Sequence, residues 1–425
     1  MPKLRPLLAL SVLLLLSPAC ANNEPIRCSV DVDCAGPEGS CEPSGYCSYP
    51  DPACTTGRRF DQYAGDGHGG ACTDGCSARL KAGGSFTCAY QAGSALYCWG
   101  SNRHGELGDG NNSTSRYPVE TRGLFDTVDV APGRDHACAR TERGTFECWG
   151  ENGMGQVGDG THDSRGAPVE VSVPGEVMAM AAGATNSCAR VADGGVFCWG
   201  ANDVGQLGTA GGTPSAVPIE VPGMAGAMGL AMGDAHTCAF DENGAVWCWG
   251  SNLSGQLGDG TYTSRPEPQA VADLAGVTQL VAGNAHTCAL TEGHEVYCWG
   301  GNYTGQVGDG TAQTKASPTK VNLDGVIAVA AGAAHTCGVT LDGAVWCWGD
   351  NSEGQLGDGT RDRRVSPNQV AALADVVEIT AGSGHSCART TDGVVRCWGA
   401  NGDGQLGDGT FHPSLTPTEA VSICR

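Results

Sequence analysis

Charge is scarce in this chain of 425 residues, and positive charge most of all: 16% of residues are charged, with 24 Lys and Arg against 46 Asp and Glu. A net charge of −22 repels phosphate backbones and anionic head groups, so a basic nucleic-acid or membrane surface is excluded as the working principle. Aromatics are few, at 6%, and long apolar runs are missing beyond the first twenty residues. That apolar run, Leu7–Leu16, is too short to span a bilayer as a helix. Also missing are the sequences GxSxG, GxxxxGK and HExxH and any CxxC, so catalysis and a zinc knuckle lack sequence support, and neither an enzyme nor a cofactor is expected.

What is abundant is Gly, at 67 residues, and Cys, at 23, a composition that suits short strands and tight turns and rules out long helices. Lys3 and Arg5 ahead of the apolar run, followed by Ser17-Pro18-Ala19-Cys20-Ala21, read as an export signal over residues 1–21. Two cleavages fit: lipidation of Cys20 as in bacterial lipoproteins, which is preferred although Ser17 stands where Leu is usual, or a cut after Ala21. An exported chain, lipid-anchored in the cell envelope or extracellular, is expected, with a lipid anchor as its sole membrane tie. Residues 22–70 carry Cys28, Cys34, Cys41, Cys47 and Cys54 with almost no apolar core, a leader that needs covalent staples.

From residue 71 to 425 the chain repeats. Trp-Gly recurs at Trp99, Trp149, Trp199, Trp249, Trp299, Trp348 and Trp398, with steps of 50 residues and one of 49. Seven copies of a unit with four short strands point to one propeller blade per unit and an all-β fold. Val326–Ala331, His335–Thr340 and Ala344–Trp348 are three strands of one unit, and Pro168–Val171 marks a fourth at an edge, because Pro cannot donate to a ladder. The stretches AGNAHTCAL, VYCWG and GNYTGQVGDG within residues 282–310, repeated at 330–359, resemble the regulator of chromosome condensation repeat. That resemblance covers residues 71–425 and implies a seven-bladed propeller. By resemblance alone it also implies guanine-nucleotide exchange with chromatin association, or inhibition of the β-lactamase-inhibitor type.

Within each unit two Cys lie ten residues apart on either side of a hairpin turn: Cys88/Cys98, Cys138/Cys148, Cys188/Cys198, Cys238/Cys248, Cys288/Cys298, Cys337/Cys347 and Cys387/Cys397. Equal arms set them opposite each other, at about 4.5–5.5 Å between Cα atoms, so seven disulfides are expected. Gly105, Gly155, Gly205, Gly255, Gly305, Gly354 and Gly404 are expected at turns with positive φ, and the Trp residues between blades. Asp109, Asp159, Asp259, Asp309, Asp358 and Asp408 could form a carboxylate ring, but a repeated Asp-Gly turn accounts for them. His136, His236, His286, His335 and His385, replaced by Phe86 and Asn186 in two units, read as structural rather than as metal ligands, and no metal site is assigned. Cys parity and alignment of the last strand predict that both ends of the chain share one blade, closed by Cys424 bonded to Cys76 or Cys72.

Large side chains vary only in the loops: Arg103-His104, Gly153-Met154, Leu253-Ser254, Tyr303-Thr304 and Glu353 at one site, Tyr117, Tyr262, Arg361 and Phe411 at a second. Variable aromatics and Arg on loops are common anchors, so Tyr117, Tyr262, Tyr303, Arg361 and Phe411 are expected to contact a protein or glycan partner.

Overall fold

A computed structural model describes residues 78–420, together with three short antiparallel strands in the leader, Ser40–Cys41, Cys47–Pro50 and Arg58–Phe60, in which Cys41 lies opposite Cys47. Cys20, Cys72, Cys76 and Cys424 fall outside the described residues. The chain divides into two units, the second running from Gly75 to Cys424.

The second unit is built of seven four-stranded antiparallel sheets, each made from one continuous stretch of chain in the order inner, second, third, outer. Blade 5 shows the plan: Val277–Ala282, His286–Thr291, Val296–Gly300 and Lys315–Lys320. Blade 1 runs from Arg79 to Glu120 and blade 7 from Val376 to Glu419. The outer strand carries the proline foreseen for an edge, as in Pro168 and Pro318, where a missing donor costs nothing and blunts further pairing. The second and third strands are buried almost throughout, as in His286–Thr291 and Val296–Gly300, so both of their faces lie in the core. Each blade's Trp joins the core of its neighbour: Trp299 of blade 5 packs with Cys238, Cys248 and Leu257 of blade 4.

The seven expected cysteine pairs are all disulfides. Cys88 is bonded to Cys98, Cys138 to Cys148, Cys188 to Cys198 and Cys238 to Cys248. Cys288 is bonded to Cys298, Cys337 to Cys347 and Cys387 to Cys397. In every blade the two residues are directly opposite each other on the second and third strands. The spacing alone needs correction, since an unlinked strand pair would hold Cα atoms about 4.5–5.5 Å apart. The Cα atoms of Cys88–Cys98, Cys188–Cys198, Cys238–Cys248, Cys288–Cys298 and Cys337–Cys347 are 4.1 Å apart. Those of Cys138–Cys148 and Cys387–Cys397 are 4.0 Å apart, because the covalent bridge draws the two strands together locally. Seven buried disulfides place the folded chain in a non-reducing environment.

The expectation that both chain ends share a blade is not met. The final strand, Ser414–Glu419, is the outer strand of blade 7, and Arg79–Ala82 is the inner strand of blade 1. The reason is topological: after each outer strand the chain crosses to the next blade, so sequence neighbours on either side of that linker belong to different sheets. Among the described residues the ring closes without a covalent link. Leu80 N donates to Glu378 Oε1 (3.2 Å), Ala82 N to Thr380 Oγ1 (2.9 Å) and Ser383 N to Gly84 O (2.8 Å).

Candidate binding face

Because the strands alternate in direction, the turns between inner and second strands and the long loops between third and outer strands share one end of the propeller. The hairpins between second and third strands and the inter-blade linkers share the other. The first end is the loop face.

Each long loop is wired by a buried Asn. In blade 5, Asn302 Nδ2 donates to Asp309 Oδ1 (3.1 Å), Thr311 O (3.2 Å) and Gln313 O (3.0 Å), while its Oδ1 accepts from Val307 N (2.9 Å). Asp309 also pairs with Lys315 (2.7 Å), and Asp159, Asp259 and Asp358 pair likewise with Arg165, Arg265 and Arg364. Burial opposes the charge on Asp309, but the bonds from Lys315, Thr311 and Asn302 outweigh it and lower its pKa. The carboxylates are therefore consumed within their own turns, as the Asp-Gly reading holds. Gly305 has φ +93°, and a Cβ there would lie 2.6 Å from Val365 Cα in the next blade, so both backbone conformation and space demand Gly.

The loop is then locked to the following blade. Trp299 Nε1 donates to Gln256 O (2.9 Å), and Thr287 Oγ1 donates to the same carbonyl (2.9 Å). Thr287 Oγ1 in turn lies 2.9 Å from His236 Nε2. Since the hydroxyl's single proton goes to the carbonyl, His236 must donate through Nε2–H. The same relay recurs from His136 to Ser187, His286 to Thr336, His335 to Ser386 and His385 to Thr87. These imidazoles are fully buried, with Nδ1 unpartnered, and burial lowers their pKa to about 3, or about 4 for His385. They are structural, as the sequence suggests.

On this constant frame stand the variable side chains. Leu253, Tyr303 and Tyr262 are 78%, 71% and 51% exposed. Tyr262 Oη reaches Thr314 Oγ1 of the next blade (3.5 Å), and Arg363 of blade 6 donates to Tyr303 O (2.8 Å), so blades 4 to 6 present one linked arc. Arg361 is turned back onto its own loop, bonded to Ser352 O and 3.7 Å from Glu353. Tyr117 and Phe411 lie elsewhere, at the junction of blades 7 and 1. The Arg116 guanidinium sits between them, 5.3 Å from the Tyr117 ring and 5.5 Å from that of Phe411. The five candidates thus form two patches, not one, and Tyr117 is half-buried. Arg116 and Arg363 were not singled out from sequence, because their roles depend on contacts across a blade junction.

On the axis, the turns between inner and second strands enclose a cavity of about 90 Å³ lined by Ala, Gly and a few polar residues, among them Arg134 and Asp234. Burial raises the Asp234 pKa and the Arg134 charge offsets part of that. One group of potential metal ligands stands out among the described residues: His104, Glu106 and Asp135 each bring a ligand atom to within 4.8 Å of the others.

A seven-bladed propeller with a loop face of constant frame and variable tips defines a protein of the repeat-propeller class. Residues 68–337, more than half of the chain, match the RCC1-like domain, and repeats of the regulator of chromosome condensation match residues 342–389, 326–355 and 376–405. The chain belongs to the regulator of chromosome condensation family. No curated protein matches its sequence. Among solved structures it is similar to Prp20p from Saccharomyces cerevisiae, described with its binding to Gsp1p and histones, at 22% identity and TM-score 0.70 over 79% of this chain and 87% of that one. It is also similar to human WBSCR16, at 22% identity and TM-score 0.67 over 74% and 86% of the two chains. At these identities the likeness speaks for the fold alone.

Proposed function

We propose that this is a non-enzymatic binding or scaffold protein, exported and either lipid-anchored through Cys20 or free, which grips a protein or glycan partner with its loop face. One observation carries the reading: the long loops rest on a repeated hydrogen-bonded frame, yet in two neighbouring blades they carry large, exposed tips, Leu253 and Tyr262 in blade 4 and Tyr303 in blade 5. The frame explains every constant residue and none of these three. Rigid aromatic tips on a locked scaffold bind with little ordering cost, and the charge of −22 turns polyanions away. Nucleotide exchange and enzyme inhibition rest on family resemblance alone and find no particular support in these loops.

The test places a photo-crosslinking amino acid at Tyr303, at Tyr262, and at exposed Leu341 on the opposite end, in protein made in its own host. One common adduct from Tyr262 and Tyr303, absent from Leu341, is expected. Adducts of equal yield from Leu341, or none from the loop positions, would rule the reading out.

A further inference from the structure

Each junction between blades offers the same three positions on the loop face, so the seven junctions serve as controls for one another. The fourth residue of the long loop is Met154, Val204, Ser254, Thr304, Glu353 or Asp403 in blades 2 to 7, but His104 in blade 1. Two residues on, six blades have Gln and blade 1 has Glu106. The facing turn of the next blade presents Thr185, Ala235, Ala285, Ala334, Gly384 or Ser85 elsewhere, and Asp135 here. All three departures fall at the junction of blades 1 and 2.

The exchange of Gln for Glu puts a charge where the other blades have none. The Glu106 side chain is 1% exposed, held by Ser101 Oγ (3.2 Å) and His104 N (2.7 Å), with His104 Nδ1 at 3.7 Å. Those contacts replace what Gln makes elsewhere but supply no buried countercharge to this carboxylate. Asp135, which brings a carboxylate oxygen to within 4.8 Å of both, is also 3.1 Å from Arg134 Nε and remains partly open to solvent. His104, on the exposed lip, already turns Nδ1 toward Glu106.

We propose that His104, Glu106 and Asp135 form a binding site for a divalent transition metal of the zinc class, bridging blades 1 and 2 at the loop face. One imidazole and two carboxylates are borderline-to-hard donors that suit zinc, and three protein ligands leave a position for water or for a group brought by a partner. The metal supplies the missing positive charge to Glu106 and draws Asp135 from Arg134. It also joins a loop of one blade to a turn of the next.

The experiment titrates the full-length oxidised protein, stripped with chelator, with Co²⁺ followed by Zn²⁺. One saturable equivalent of Co²⁺ with visible absorption, displaced by Zn²⁺, is expected. Glu106→Gln and Asp135→Ala should each weaken that equivalent by about 100-fold or more, the scale on which lost metal ligation is felt. Both variants install residues that other junctions already carry, and thermal unfolding confirms that they fold. Absence of a saturable equivalent overturns the proposal, and so does an equivalent that survives either substitution.

Discussion

Two junctions of the ring depart from the histidine relay, and they depart differently. Between blades 1 and 2, Phe86 replaces His and Ala137 replaces the hydroxyl residue, and the two pack in one apolar cluster. Between blades 3 and 4 only one partner has changed. Thr237 keeps its bond to Gln206 O (3.1 Å), but Asn186 is too short to reach it and leaves both Oδ1 and Nδ2 buried without partners. Replacing both members of a polar pair with apolar groups is close to neutral, whereas stranding one member costs its desolvation. The molecule therefore contains a compensated and an uncompensated version of the same change.

The largest effect that can break this comparison is acid. The five relay imidazoles have folded pKa values below the ordinary 6.5, so the unfolded chain takes up more protons. Their contribution is intact above pH 6.5 and is lost as pH falls from there toward 3 to 4, on the order of 2 kcal/mol per histidine by pH 5. Denaturant unfolding followed across pH 7 to 4 should show a steep decline; a flat profile would mean that the relay is not buried as described. Next comes the covalent staple beside a relay. Replacing Cys288 and Cys298 together with Ala should lower stability by about 3 kcal/mol, the loop-closure value for so short a loop, measured by the same unfolding in oxidising buffer.

Asn186→His rebuilds the relay to Thr237 and leaves one stranded nitrogen in place of two stranded polar atoms, so it should stabilise by roughly 2 kcal/mol. Phe86→His alone should destabilise, and adding Ala137→Thr should recover the loss. If Asn186→His is neutral while the double change at Phe86 and Ala137 is not rescued, the relay is not an independent module. The smallest effect separates carbonyls with one donor from those with two. Glu106 O accepts only from Trp149 Nε1 (2.7 Å) because Ala137 has no hydroxyl, whereas Gln256 O keeps Thr287 when Trp299 is altered. Trp149→Phe should therefore cost about 1 kcal/mol more than Trp299→Phe, read as a difference in midpoint.

The period of Trp-Gly made the blades legible, and the ten-residue spacing of Cys made the disulfides legible, because both are local in sequence. The edge strand was visible in proline for the same reason. What escaped is what lies across a junction. Whether Ser414–Glu419 and Arg79–Ala82 share a sheet depends on where the chain crosses between blades, and no residue in the linker announces that crossing. Tyr117 and Tyr303 look equivalent in sequence, yet one lies half-buried beneath Arg116 and the other stands clear. The relay itself was half visible: five His at one position signalled a structural role, but their acceptors lie some fifty residues onward, or for His385 back at Thr87, among Thr and Ser that read as ordinary strand residues. Glu106 carried the plainest overlooked signal, a single acid in a column of glutamines.

Each sheet being a whole, unbroken piece of chain has a consequence for how the ring can be rearranged. Opening it at a linker such as that around Gly223, exposed and with nothing within 4 Å of its missing Cβ, cuts no strand from its partners. Joining Glu419 to Arg79 through a linker like those between the other blades and starting the polypeptide there would yield the same seven sheets in rotated order. A circular permutant of this propeller is thus a change of starting point alone, with every blade still synthesised as one complete stretch of chain.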